Sequence, residues 1–373
     1  MRWKAPMADK TWTGNVGEWG ELYAACKLLG TGLLSIAEHA KPYQIIELTR
    51  PERHGQTTFV VDRTKVTDTH SGIEHLLVEY VEAARIIKNA IEKKPSSKRP
   101  IQISPESQRY IASLGFTKLS AGSAHNSDIH IDVRSQLNEL ERLPLKGYSI
   151  KTEAGSAPTL YNMSSGRHLH YSVSAQASAL RDLASVLSAG GRGRKKAFTK
   201  FADTAPSINP GTTSNPQIVG SMQFAANLRS LDGDAPQLLA LAVLEYYFFG
   251  ARRCSDAVAA VAKNNPLGNL TLEAYQLKYS RIWREFALGL PGATIHRETQ
   301  PNQGGILRVK ADMSIEAVPA VTDRGGNLLS ATEFDAPSFN RWLRNAGLSA
   351  LTITGTTTAV LTLPWQIRWV KSA

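Results

Sequence analysis

Apolar and polar residues alternate with a period of two in two stretches of this chain, which predicts strands at both. In 127–133, Ile129, Ile131 and Val133 alternate with Asp128, His130 and Asp132, so one face is apolar and the other carries two carboxylates. In 147–153, Tyr148 and Ile150 point one way and Ser149, Lys151 and Glu153 the other. Helical spacing governs the start of the chain. Trp19, Leu22, Cys26 and Leu29 form one stripe and predict an amphipathic helix over 16–29, with Asn15 as N-cap and Glu18 completing a capping box. β-Branched and aromatic runs at 43–48 and 57–61 flank a turn at 51–55 and predict a hairpin. A helix from about 73 to 93 follows, closed by an exposed charged turn at 93–100.

Past the second polar strand, 174–188 reads as a helix stopped by Gly190-Gly191. The polar stretch 201–216 is the best boundary in the chain. Helical composition then returns at 238–250, 255–263 and 272–290, and from 304 the pattern is β again, with a hairpin at 306–309 and 315–318 and strands at 351–354 and 360–370. Trp365 and Trp369 are expected in the core. Three regions follow: a core over 1–200, a mostly helical subdomain or insert over 217–295, and a β-rich region over 296–373 that is free to pack on the core.

Charge changes the picture from fold to partner. The 373 residues carry 43 Lys and Arg against 32 Asp and Glu, a formal +11 with an isoelectric point near 9.6. That balance favours an anionic partner, nucleic acid first and an acidic membrane surface second. No stretch reaches the roughly twenty apolar residues a membrane helix needs, and 1–11 lacks an apolar signal core, so a soluble cytoplasmic protein is expected. Only Cys26 and Cys254 are present, too few for a disulfide framework or a cysteine-based zinc site, and both are expected to be buried and reduced.

If the two polar strands pair, Asp128 lies beside Lys151. A carboxylate facing an ammonium suits phosphodiester hydrolysis, the first holding a hard divalent cation and the second orienting water. The plain alternative is a solvated strand face with an ordinary salt bridge. His130 and Asp132 suit structural or DNA-facing roles, and a zinc site at His168 and His170 would need a third ligand from afar. The basic run Arg192, Arg194, Lys195, Lys196 and Lys200 reads equally as a phosphate-binding patch or as a solvated loop.

The run Gly147-Tyr148-Ser149-Ile150-Lys151, followed by Gly155, Pro158-Thr159-Leu160, Asn162 and Ser164, resembles the catalytic segment of the HpaII-type restriction endonucleases, members of the PD-(D/E)XK nuclease superfamily. Thr13-Gly14-Asn15 leading into Gly17-Glu18-Trp19 and Glu21-Leu22-Tyr23, Ser123-Ala124-His125-Asn126-Ser127-Asp128-Ile129, and Gln366-Ile367-Arg368 match in the same order. The resemblance implies an α/β fold of the restriction-endonuclease type, a mixed central sheet flanked by helices. It further implies a Type II enzyme that uses Mg2+ to cut double-stranded DNA at a short, palindromic sequence, with CCGG as a weak prior. A homodimer and a cognate DNA methyltransferase come with the class. Asp128 is then the first metal ligand and Lys151 the residue that positions water. Ser149 stands where the superfamily usually has a second acid, so another ligand must come from elsewhere. Glu21 on the first helix is preferred to Glu153, and the backbone carbonyl of Ile150 joins them. Asn162, Ser164, Ser165, Arg167 and His168, with the basic run at 192–196, are the DNA-contacting candidates. Tyr161, Met163 and Arg167-His168-Leu169 depart from the family pattern, which leaves the target sequence open. Two further readings are a catalytically impaired DNA-binding protein of the same fold and a structure-specific repair nuclease.

Overall fold

The computed structural model describes residues 11–35, 42–53, 55–93, 100–121, 127–134, 142–155, 158–162, 169–174, 207–209, 221–247, 249–290, 304–319, 321–322, 334–335, 347–350, 360–363 and 365–368. In chain order these form β1 (Thr13–Gly14), α1 (Val16–Thr31), β2 (Leu33–Leu34), β3 (Tyr43–Glu52), β4 (Gly55–Val61), β5 (Lys65–Asp68), β6 (Glu74–Leu76), α2 (Leu77–Glu92), β7 (Ile101–Gln102), α3 (Pro105–Ser113), β8 (Ile129–Arg134) and β9 (Arg142–Thr152). Then come β10 (Thr159–Asn162), β11 (Leu169–Ser174), β12 (Ser207–Asn209), α4 (Met222–Leu231), α5 (Ala235–Tyr247), α6 (Cys254–Asn264) and α7 (Leu272–Ala287). The last are β13 (Gly305–Val309), β14 (Ile315–Pro319), β15 (Val321–Thr322), β16 (Phe334–Asp335), β17 (Gly347–Ala350), β18 (Val360–Leu363) and β19 (Trp365–Arg368).

Contacts divide the chain into two compact units, one of 1–158 with 302–339 and the other of 159–301 with 340–373. The first is a mixed α/β unit whose sheet runs β14-β13-β9-β8-β3-β4-β5-β6, with β2 added beside β3. β9 and β13 are parallel, Tyr148 to Gly305 through Thr152 to Val309, and the other pairings are antiparallel. Ile45, Leu48, Ile129, Ile131, Tyr148, Ile150 and Leu307 from the sheet join Trp19, Leu22, Leu29, Tyr80 and Ile87 from α1 and α2 in one buried core. The second unit packs its helices around Tyr275, Tyr279, Trp283 and Phe286 of α7, and holds two three-stranded sheets, β10-β19-β17 and β12-β11-β18.

The first helix forms as its stripe predicts. Asn15 accepts from the amides of Gly17 and Glu18 while Glu18 accepts from Asn15, and Gly32 ends the helix in the left-handed region at φ 64°. The hairpin at 43–61 is also present, but β3 runs through Pro51 to Glu52, so the turn expected at 51–55 is shorter. The helix expected from 73 starts at Leu77 instead. Glu74 and Leu76 are used as a strand against Thr67 and Lys65, and Glu79 caps the amide of Leu76. Periodicity missed α3, which Ser104 caps, and α4, which Ser221 caps. Both cysteines are buried, and burial pushes their thiols well above the ordinary range. Ser174, where a helix was expected to begin, instead ends β11; the rest of that expected helix, 175–188, the strand at 351–354, most of 201–216 and the side chains of Trp365 and Trp369 lie outside the described residues.

Candidate active site

The two polar strands pair as neighbours, β8 antiparallel to β9, with Ile129 opposite Tyr148 and His130 opposite Gly147. Asp128 stands just ahead of β8. Its amide donates to the carbonyl of Tyr148 at 2.9 Å, and its Oδ2 accepts from the amide of Ile150 at 2.6 Å. The close approach explains the glycine of the 147–151 run, because a Cβ at Gly147 would fall 2.2 Å from Ser127 Oγ. Continuing the register sets Asp128 across from Ser149, on the strand face that also carries Lys151.

Glu21 reaches the same place from α1. Its Oε2 accepts from the Ala121 amide at 2.9 Å, which ties the helix to the segment leading into β8. Burial, and then the nearby Asp128 carboxylate, push the Glu21 carboxyl up to about 8, against opposing effects of the Ala121 amide, Arg50 and Lys151. Burial likewise raises Asp128, while Lys151, the Ile150 amide and Arg50 pull it down. Oε1 of Glu21 and Oδ1 of Asp128 have no hydrogen-bond partner among the described residues. Two partly buried carboxylates, both raised by burial and each with one oxygen held and one available, suit a hard divalent cation. Among the described residues no third Asp, Glu, His or Cys joins them, so water and backbone oxygen would fill the rest of an octahedral shell.

Glu153 is committed to an ion pair. It is buried and bonded to Arg308 of β13 through both oxygens, the Nη2 contact measuring 3.2 Å, and Arg308 also lies 3.6 Å from Glu316. Of the two acids weighed for the second position, the one on the helix therefore has an oxygen to offer. His130 and Asp132 follow along β8, but Asp132 is buried and lies opposite Glu47 of β3, so the polar face is less solvated than alternation suggests. Asn162 closes β10 opposite Gln366. Ser164, Ser165, Arg167, His168, Arg192, Arg194, Lys195 and Lys196 lie outside the described residues.

Two functional-looking residues escape sequence reasoning. Arg50 and Glu52 flank Pro51, a residue that reads as a turn, yet both are almost fully buried, 1% exposed at the side chain, and joined at 3.0 Å. The signal available was their spacing of two in a β-rich run, which puts both on one strand face.

A model of the HpaII restriction endonuclease family matches residues 15–341. The Type II restriction enzyme HpaII of Haemophilus parainfluenzae is 27% identical over 343 residues, covering 88% of this chain and 92% of that protein. No solved structure matches the chain.

Proposed function

The chain belongs to the HpaII restriction endonuclease family, and from that premise we propose a site-specific Type II enzyme whose Asp128, Glu21 and Lys151 carry a magnesium-dependent hydrolysis of the DNA backbone. The observation that carries this reading is the electrostatic influence of Asp128 and Lys151 on the buried Glu21, with Asp128 held on the strand pair that bears Lys151. When bound, magnesium supplies Lewis acidity toward the scissile phosphate and its leaving oxygen. Glu21 and Asp128 would hold it, with the Ile150 carbonyl as a further oxygen donor. Lys151 orients the attacking water and offsets the negative charge that builds on the phosphate. Ser149 provides a hydroxyl near this path rather than a carboxylate.

The enclosing fold is of the PD-(D/E)XK type in this proposal, with the core, helical and β-rich regions of the sequence reading as its parts. The substrate is a short palindrome, CCGG being the prior, cut by a homodimer so that each protomer serves one strand, with a methyltransferase protecting the host site. Asn162, Ser164, Ser165, Arg167 and His168 read the bases or hold phosphates, and the 192–196 run holds phosphates.

The test is digestion of a sequenced, unmethylated plasmid with magnesium or with chelator, beside Lys151→Ala. Discrete bands that need both magnesium and Lys151 are expected, with a loss of about 100-fold or more in the variant from the missing charge. An intact plasmid that the protein nevertheless binds would favour a DNA-binding protein without catalysis, for which the absent acid at Ser149 is the specific argument. A smear without bands would favour a structure-specific nuclease.

A further inference from the structure

Arg50 lies in β3, 1% exposed, with its guanidinium 5.3 Å from the centre of the Phe116 ring. Nε meets Glu52, and Nη2 donates to the carbonyls of Lys118 at 3.1 Å and Leu119 at 3.2 Å. Glu52 in turn accepts from the amides of Thr117 and Lys118 and from the Thr117 hydroxyl, at 2.7, 3.1 and 2.6 Å. The pair thereby fixes both amide and carbonyl groups of the segment 117–119. Lys118 extends the hold by donating to the Ala121 carbonyl at 3.1 Å, and the Ala121 amide is the group that grips Glu21.

A buried arginine is costly unless its charge is compensated and its donors are used. Nη1 of Arg50 is buried with no hydrogen-bond partner among the described residues, so packing alone does not account for a guanidinium here. A leucine or methionine would fill the space beside Phe116 at lower cost. What it would lack is the donor that holds two successive carbonyls while the same group meets Glu52.

We propose that Arg50 is a positioning residue for the metal site: it fixes the segment whose Ala121 amide aims Glu21. This rests on the reading that Glu21 and Asp128 hold the metal. Residues that orient a ligand in this way typically change metal affinity by about 10–100-fold when lost.

The experiment uses the full chain with Arg50→Met, Arg50→Lys and Glu21→Gln. Manganese binding is titrated by electron paramagnetic resonance, plasmid cleavage is followed against magnesium concentration, and urea unfolding reports the fold. In Arg50→Met, manganese affinity should fall by about tenfold, and cleavage should recover toward the wild-type rate as magnesium is raised. Arg50→Lys, which keeps a donor for a carbonyl but not the planar group that also meets Glu52, should recover part of the loss. Folded Arg50→Met with wild-type manganese affinity overturns the proposal. If Arg50→Met does not fold, Arg50→Lys decides: weaker manganese binding supports the proposal, and unchanged binding overturns it. Glu21→Gln separates the two ideas, because normal manganese binding there means that the metal site itself was misassigned.

Discussion

At the scale of single residues, the proposed chemistry rests on carboxylates that the fold makes reluctant to ionise. Glu21 is raised from 4.5 to about 8, so the folded metal-free protein holds a proton that the unfolded chain releases. Its contribution to stability is then full below about 4.5 and is lost as pH rises through about 8. Urea unfolding in chelator should show that decline, and Glu21→Gln, which cannot ionise, should flatten it. A second residue-scale prediction concerns Glu153, which Arg308 neutralises. Arg308→Met leaves a buried carboxylate uncompensated and should cost about 3 kcal/mol in urea unfolding, while Arg308→Met with Glu153→Leu should recover most of it. The run around Lys151 was legible because strand alternation and a known motif coincide there. The roles of Glu153 and Arg50 were not, since each is decided by a partner distant in sequence.

At the scale of elements, the site depends on how closely α1 lies on β9. A Cβ at Gly20 would fall 1.9 Å from Thr152 Oγ1, so only glycine lets the helix approach this far. Gly20→Ala should push the helix, and Glu21 with it, away from the strand that carries Lys151. The expected result is a destabilisation of about 1–3 kcal/mol together with weaker manganese binding, read by unfolding midpoints and by metal titration. Secondary structure was readable where periodicity was strong and caps were present, as in α1. It was misread where three residues were diverted into pairing, as at β6, because an edge strand that short has no period of its own. The hairpin β13–β14 was expected as a hairpin, but nothing in its sequence says that its first strand lies parallel to β9.

At the scale of the whole molecule, a net charge of +11 on an enzyme acting on double-stranded DNA predicts steep salt dependence. With calcium in place of magnesium, so that binding is seen without cutting, affinity for a cognate duplex should fall by about 10³-fold or more between 50 and 200 mM salt. A shallow dependence would mean that the excess charge lies away from the DNA. Among the described residues no helix is long and apolar enough to cross a membrane. The parallel pairing of β9 with β13 has a consequence for how the enzyme is made. Arg308 meets Glu153 across 155 positions of chain, so the strand bearing Lys151 leaves the ribosome long before its neighbour exists. At roughly 5–20 residues per second that interval is about 8 to 30 seconds. During it the outer edge of β9 has no partner strand, and a product cut short before β13 keeps that bare edge for good. A cell that synthesises this nuclease thus completes the sheet around β9 only after most of the chain has been translated.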